Sequence, residues 1–250
     1  MIPKFLLYLT FSHKYYERIS KYLTGSSRER ISRKNLEKIK IPLPPLEIQE
    51  QIVAELDSYQ KIIDGARQVV ENYKPTFKIE PEWRNLDFYK VCTLEYGKSL
   101  PKLDRKQGKY PVMGSNGISG YHDEYFIKGP AIIVGRKGSA GEVVWEERNC
   151  FPIDTTYYIR LNKPQNTSLK FIYFILKSFK LQNIKNGAGI PGLNRNDVYL
   201  KYKIPLPSLE IQRQIVNRIE SEQKIIEANK ELITIFENKI KEKIAEVWGE

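Results

Sequence analysis

Apolar residues recur at seven-residue spacing in two stretches of this chain. In the first they are Leu56, Ile63 and Val70; in the second they are Ile219, Ile226, Ile233 and Ile240, continuing to Val247. Ile48, Ile52, Val53, Tyr59, Ile62, Ala66, Val69 and Tyr73 widen the first stripe, and Ile211, Ile215, Val216, Ile225, Leu232, Phe236 and Ile244 widen the second. Such a pattern predicts an amphipathic helix packed along its whole length, close to a coiled-coil seam. Prolines 42, 44 and 45 precede the first stretch, and Pro205 and Pro207 the second, fixing an extended approach and a sharp helix start. From Ser208 to Trp248 the second helix should run roughly 60 Å at 1.5 Å per residue. A lone helix of that kind cannot bury its stripe. The two are therefore expected to pair antiparallel through Leu56, Ile63, Val70, Ile219, Ile226, Ile233 and Ile240.

The two stretches are copies of one another. Ile41-Pro42-Leu43-Pro44-Pro45-Leu46-Glu47-Ile48-Gln49 returns as Ile204-Pro205-Leu206-Pro207-Ser208-Leu209-Glu210-Ile211-Gln212, 163 positions later, and 16 of the 23 positions from 41 to 63 are identical. Upstream the likeness is looser. Lys4-Phe5-Leu6-Leu7-Tyr8-Leu9 echoes Lys170-Phe171-Ile172-Tyr173-Phe174-Ile175, and Ser32 to Leu36 echoes Asn194 to Val198. A displacement this long implies duplication of a whole module rather than a short solenoid period.

Between the helices the pattern changes. Val91–Tyr96, Tyr110–Met113, Tyr121–Ile127, Ala131–Val134, Glu142–Trp145 and Thr155–Leu161 read as short strands. Turn residues separate them, at Gly114-Ser115-Asn116-Gly117, Lys128-Gly129-Pro130, Arg136-Lys137-Gly138 and Asn162-Lys163-Pro164. A helix follows, with Leu169, Ile172, Tyr173, Leu176 and Phe179 on one face. The predicted class is α+β: a strand-rich mixed α/β domain flanked by two long helices pairing as an antiparallel coiled coil.

Charge follows the same division. The net charge is +11, and residues 1–41 carry +7, 42–80 carry −3, 81–203 carry +9 and 204–250 carry −2. Two basic segments alternating with two mildly acidic ones point to phosphate binding by the basic pair. No run of 18 apolar residues exists, which argues against a spanning helix, and the N-terminal stretch turns polar too soon for a secretion signal. Cys92 and Cys150 are too few for a disulfide framework and lack metal-site spacing, so they read as packed thiols of a reducing cytoplasm.

The candidate DNA contacts lie in loops. Gly135-Arg136-Lys137-Gly138-Ser139-Ala140-Gly141 has neither dinucleotide-fingerprint nor Walker spacing. Two readings stand: Arg136, Lys137 and Ser139 lie against a phosphate, or the loop is a basic hairpin turn. In Gly114–Gly117, Ser115 and Asn116 face a similar choice, since Asn116 either reads an adenine edge or occupies a left-handed turn position. Arg105, Lys106 and Lys109 form a cationic loop suited to phosphate. Lys98, Tyr121 and Arg195 complete the candidate set. Nothing catalytic is legible. His13 and His122 are the only histidines, and no Asn-Pro-Pro-aromatic tetrad, methyl-donor loop, Walker lysine or nuclease Pro-Asp…Glu-x-Lys is present.

A basic variable domain followed by Ile-Pro-Leu-Pro-x-Leu-Glu-Ile-Gln-x-Gln-Ile and a long helix, in duplicate, resembles the specificity subunit of type I restriction–modification systems. Gly114 to Tyr125, with Gly135-Arg136-Lys137-Gly138-Ser139, is similar to that family's target-recognition domains. The resemblance divides the chain into residues 1–41, the C-terminal remnant of a first target-recognition domain; 42–78, a first conserved helical region; 79–203, a complete recognition domain; and 204–250, a second helical region. It implies a non-catalytic subunit that reads one half of a bipartite site on double-stranded DNA and docks methyltransferase subunits. The assembled complex would be an adenine methyltransferase and endonuclease. No metal and no cofactor are expected in this chain, S-adenosylmethionine belonging to the partner. A restriction subunit and a second copy of the chain are further expected partners. The length departs from the family pattern, which fits either a split or truncated gene or a half-subunit that dimerises into a symmetric reader. The competing reading is a coiled-coil interaction protein whose basic domain binds RNA or an acidic protein.

Overall fold

The computed structural model describes residues 1–25, 28–184 and 192–249. Its helices are α1 (Pro3–Thr10), α2 (His13–Ser20), α3 (Arg33–Leu36), α4 (Leu46–Asn72), α5 (Phe88–Val91), α6 (Leu169–Ser178), α7 (Arg195–Lys201) and α8 (Leu209–Trp248). Its strands are β1 (Arg84–Asp87), β2 (Cys92–Tyr96), β3 (Tyr110–Gly114), β4 (Gly117–His122), β5 (Ala131–Gly135), β6 (Val143–Glu146), β7 (Phe151–Pro152), β8 (Thr156–Leu161) and β9 (Lys203–Leu206). They gather into two compact units, Met1–Pro75 with Ser221–Glu250, and Thr76–Glu220.

In the first unit α4 and the later turns of α8 run antiparallel. Tyr73 meets Glu222, the Tyr59 and Phe236 rings meet at a tilt of 56° with centroids 5.4 Å apart, and Glu55 accepts from Lys243 at 3.1 Å, so positions fall along α8 as they rise along α4. Arg67 bonds Glu237 across the same seam at 2.6 Å. Ile63 and Ile226 are buried, Leu56 is buried with Phe5, Leu9, Ile52 and Ile244, and Ile240 packs against that cluster. Val70 and Ile233 are half-buried.

The seam is shorter and narrower than the periodicity suggests. Ile219 is fully buried, but in the core of the second unit, together with Ile215 and Val216. The reason is compositional: the apolar face of α6 lies in that same core and offers α8's first turns a closer partner. Ile48, Ile62, Val69, Ile211, Ile225 and Leu232 are exposed rather than part of the stripe.

The second unit is built on a four-stranded antiparallel sheet in the order β2-β8-β5-β6. Every residue of β5 is buried because both faces of that strand are covered. Ile132 and Val134 face the main core with Phe88, Leu94, Tyr157, Phe171 and Ile175, while Ala131 and Ile133 join Met113 and Cys150 on the other side. A second sheet, β4-β3-β7, and the pair β1-β9 complete the unit. Two strand expectations shift. Val91, expected to open the strand 91–96, instead closes the short helix α5, and the strand expected at 121–127 is instead β4, hairpinned to β3 through Ser115 and Asn116. Gly117 makes that tight turn possible, since it adopts φ 102°. Cys92 and Cys150 are buried free thiols, and burial pushes Cys150 up to about 12.

The duplication is structural as well as textual, and it centres on one residue type. Gln49 and Gln212, 163 positions apart, are both buried. Gln49 Oε1 accepts from the Ile2 amide at 2.9 Å while its Nε2 donates to the Pro44 carbonyl at 2.7 Å. Gln212 Oε1 accepts from the Ser168 amide at 2.8 Å, and its Nε2 donates to the carbonyls of Pro207 at 2.9 Å and Asn166 at 3.3 Å. Ile2 and Ser168 are the residues that precede α1 and α6. Each glutamine thus ties a proline-rich lead-in, a long helix and the start of a short helix together, in the same way in each unit.

Two outcomes test this fold. Ile63→Asp or Ile226→Asp buries an unpaired charge in the seam and should cost about 3 kcal/mol or more in urea denaturation; unchanged midpoints for both would refute the pairing. Gln49→Leu and Gln212→Leu each strand a buried amide and carbonyl and should cost about 1–3 kcal/mol. Hydrogen exchange should place the loss of protection in the first unit for Gln49 and in the second for Gln212, and loss in the same unit for both would refute the equivalence.

Candidate nucleic-acid interface

Five of the sequence-derived candidates converge on the backbone of residues 153–155 and on Tyr96. Lys98 pairs with Ile153 through a parallel bridge. Thr155 O accepts from the Arg136 amide at 2.8 Å, the Lys137 amide at 3.1 Å and the Ser115 hydroxyl at 2.7 Å. The Arg136 guanidinium donates twice to Asp154 O, at 2.9 and 2.6 Å, and lies 5.3 Å from the Tyr96 ring centroid. Arg195, at the start of α7, donates to Leu94 O at 3.3 Å and lies 4.8 Å from the same centroid. Lys137 also bridges Gly192, and Leu193 donates to Arg136 O. Lys98 sits 4.1 Å from the Phe126 ring. The result is a cationic cluster held by carbonyls and aromatic rings.

The glycine-rich loop is the β5–β6 hairpin connection. A side chain at Gly135 would collide with the Ser139 carbonyl, and one at Gly141 with the backbone at Leu181 and Gln182, so these glycines serve close packing within the protein. Lys137 and Ser139 stand exposed on the loop. Asn116 is also exposed. It does not occupy the left-handed turn position, because among the described residues only Lys180 and glycines have positive φ.

The remaining candidates form a second group around β4. Arg105 donates to Ser119 O at 2.9 Å and to Leu100 O at 3.4 Å, the Lys106 amide donates to His122 Nδ1 at 3.0 Å, and Lys109 lies 5.5 Å from the Tyr110 ring centroid. Tyr121 is exposed beside Arg148, which also binds the buried Glu146 carboxylate at 2.7 Å. Burial opposes charge on Glu146, but that guanidinium and the Arg148 amide outweigh it and hold the carboxyl below its usual range.

Tyr96 escaped sequence reasoning. It ends a strand of alternating burial, and nothing in its neighbours' identities announces the two guanidinium groups that flank it. The buried Tyr157 ring lies 5.0 Å away, with its phenol pushed up to about 12 by burial and by Tyr96. Among the described residues no group of three His, Cys, Asp or Glu side chains is gathered to hold a metal ion, and no helix is long and apolar enough to cross a membrane.

Comparison with known proteins places this geometry. A family model described as the type I restriction modification DNA specificity domain matches residues 2–72 and 81–238. A candidate type I specificity subunit of Mycoplasma pneumoniae is 24% identical over 78% of this chain, and the type I restriction enzyme MjaVIII specificity subunit of Methanocaldococcus jannaschii is 24% identical over 88%. The chain spans 58% and 64% of the length of these two relatives. Among solved structures, the S subunit of a type I system from M. genitalium aligns over 98% of this chain and 72% of its own, with a TM-score of 0.61 at 17% identity. The HsdS subunit from Thermoanaerobacter tengcongensis aligns over 99% and 70%, with a TM-score of 0.56 at 18% identity. With the family model matched on both sides of the duplication, the chain belongs to the type I restriction–modification DNA specificity family.

Proposed function

We propose that this chain is a non-catalytic, DNA-reading specificity subunit, whose recognition domain, residues 79–203, binds one half of a split target on double-stranded DNA. The observation that carries the reading is the cationic cluster of Lys98, Arg136, Lys137 and Arg195. It is oriented by backbone carbonyls and aromatic rings, within a fold the family uses for DNA specificity. Carbonyl acceptors aim a guanidinium without neutralising it, which leaves its charge for phosphate. Arg136, Lys137 and Arg195 serve as phosphate contacts. Asn116, Ser139 and Tyr121 are exposed where they can meet DNA, and Asn116 is suited to an adenine edge. Arg105, the Lys106 amide and Ser115 brace the loops that present them, and the exposed Lys106 and Lys109 side chains serve as further phosphate contacts.

In this reading residues 42–78 and 204–250 are the helical regions that carry methyltransferase subunits. The partner supplies S-adenosylmethionine chemistry, and the assembled complex modifies adenine or cuts. Residues 1–41 are the C-terminal remnant of a first target-recognition domain. The surplus of cations in residues 81–203 against the balanced helices supports DNA rather than a partner protein as the ligand of the basic domain.

Binding of the purified chain to duplex DNA should weaken steeply with salt. Arg136→Glu with Lys137→Glu should lower affinity about tenfold and reduce the log–log salt slope by about two, one for each phosphate that is no longer engaged. Lys230→Glu, on a helix where Lys230 already pairs with Glu227, should leave both unchanged. A salt-independent isotherm, or an equal drop in the control, would refute the assignment. In cells that also express the methyltransferase, replacing residues 79–203 by the domain of another family member should change the sequence that acquires methyladenine. Retention of the original target would place specificity in the partner.

A further inference from the structure

A single exposed leucine is ordinary on a protein surface, but Leu103 stands in an unusual setting. It is 98% exposed, more than any other large apolar side chain among the described residues. Its backbone is nevertheless fixed. Lys102–Asp104 form one 3₁₀ turn entered from Pro101, whose carbonyl accepts from the Asp104 amide at 3.1 Å. Arg105 anchors the far side of the turn, donating to Leu100 O before it and to Ser119 O of β4. The next amide, of Lys106, donates to His122 Nδ1. Gly108 lies so close to the backbone of His122 and Asp123 that a side chain there would collide with it. A leucine is thus presented on a braced tip while burying almost nothing of itself.

The surroundings of that tip point to its ligand. From residue 98 to residue 109 the chain carries five cations, Lys98, Lys102, Arg105, Lys106 and Lys109, against one acid, Asp104. The segment also joins the two groups of candidate contacts. At its start Lys98 bridges Ile153, next to the Asp154 carbonyl that holds Arg136; further on, Arg105 and Lys106 are tied to β4. An apolar tip with cations on both sides complements a duplex, in which phosphates flank stacked bases whose faces are apolar. A carboxylate-rich socket on a protein would answer the same charge. DNA is the better match because the loop grows directly out of the cluster assigned to phosphate.

We propose that Leu103 is a wedge: it enters between two adjacent base pairs of the half-site and opens that step, while Lys102, Lys106 and Lys109 hold the phosphates on either side. The inference rests on the DNA-reading function proposed above and adds a second kind of specificity to it. Base steps differ in how readily they unstack, and pyrimidine–purine steps give way most easily. A wedge at a fixed place in the half-site therefore favours such a step without a hydrogen bond to any base edge. Bracing the tip beforehand lowers the entropy lost on insertion. Asn116 supplies hydrogen-bond readout, and Leu103 supplies readout of deformability.

The test uses the full chain and the duplexes that it retains from a random-sequence library. In the recovered site each adenine is replaced in turn by 2-aminopurine and each cytosine by pyrrolocytosine, bases whose fluorescence rises on unstacking. At one step the chain should raise the signal about threefold or more. Leu103→Ser should abolish that rise and weaken binding about tenfold, with the log–log salt slope unchanged because the phosphate contacts remain. Leu103→Phe, which restores an apolar wedge, should recover both. The melting temperature of Leu103→Ser should equal that of the parent chain, since the side chain packs against so little. A duplex bound without unstacking at any position, or unstacking that survives Leu103→Ser, would overturn the wedge and leave the DNA reading standing. So would a lowered melting temperature, or loss of methyltransferase capture with the DNA signal intact. A chain that enriches no duplex would remove the DNA reading itself, and the wedge with it.

Discussion

An amphipathic helix of 40 residues has no means of burying its own stripe, and the architecture follows from how that need is met. The first turns of α8 give Ile215, Val216 and Ile219 to the core of the strand-rich unit, and later turns give Ile226, Ile240 and Ile244 to the helical one. Gln49 and Gln212 fix where each long helix starts. A glutamine side chain presents one acceptor and donors on a single planar group, so once buried it must find both kinds of partner nearby. The proline-rich lead-in supplies the carbonyl and the short helix supplies the amide. Substitution there forfeits the accepted and the donated hydrogen bonds at once, which accounts physically for identical glutamines at the two corresponding positions.

Much of this was legible in the sequence. The seven-residue stripes, the proline lead-ins and the 163-residue displacement led to two paired helices and a duplicated module. The turns at Gly114–Gly117 and Gly135–Gly141 announced themselves through glycine pairs, and β5 through an unbroken apolar run, but the strand that follows Gly117 was expected too late. Other features were hidden for identifiable reasons. Ile219 fits the helical stripe as well as Ile226 does, and only the packing of α6 decides which core receives it. The glutamines looked like part of an identical string, because a buried polar side chain and a surface one have the same letter. Tyr96, Asp154 and Thr155 act through a ring face and two backbone carbonyls. Carbonyls are common to every residue and leave no mark in a sequence.

The cations around Tyr96 are held differently from those that both units pair with carboxylates, and the contrast bears on function. In the helical unit, cations meet carboxylates: Lys4 with Asp57, Arg67 with Glu237, and Lys243 with Glu55 and Glu246. Such pairs at the surface contribute little to stability, but they cancel the field locally. In the strand-rich unit Arg136 and Arg195 donate to main-chain carbonyls and flank an aromatic ring, and both kinds of contact fix geometry while leaving the formal charge intact. A guanidinium with two of its donors committed to Asp154 O still presents the others in a fixed plane, so less side-chain entropy is given up when a phosphate arrives. Lys98 and Lys137, exposed beside them, extend the same uncancelled field. A polyanion gains more from such an arrangement than a protein carboxylate does, because successive phosphates engage several oriented cations and release condensed counterions as they bind.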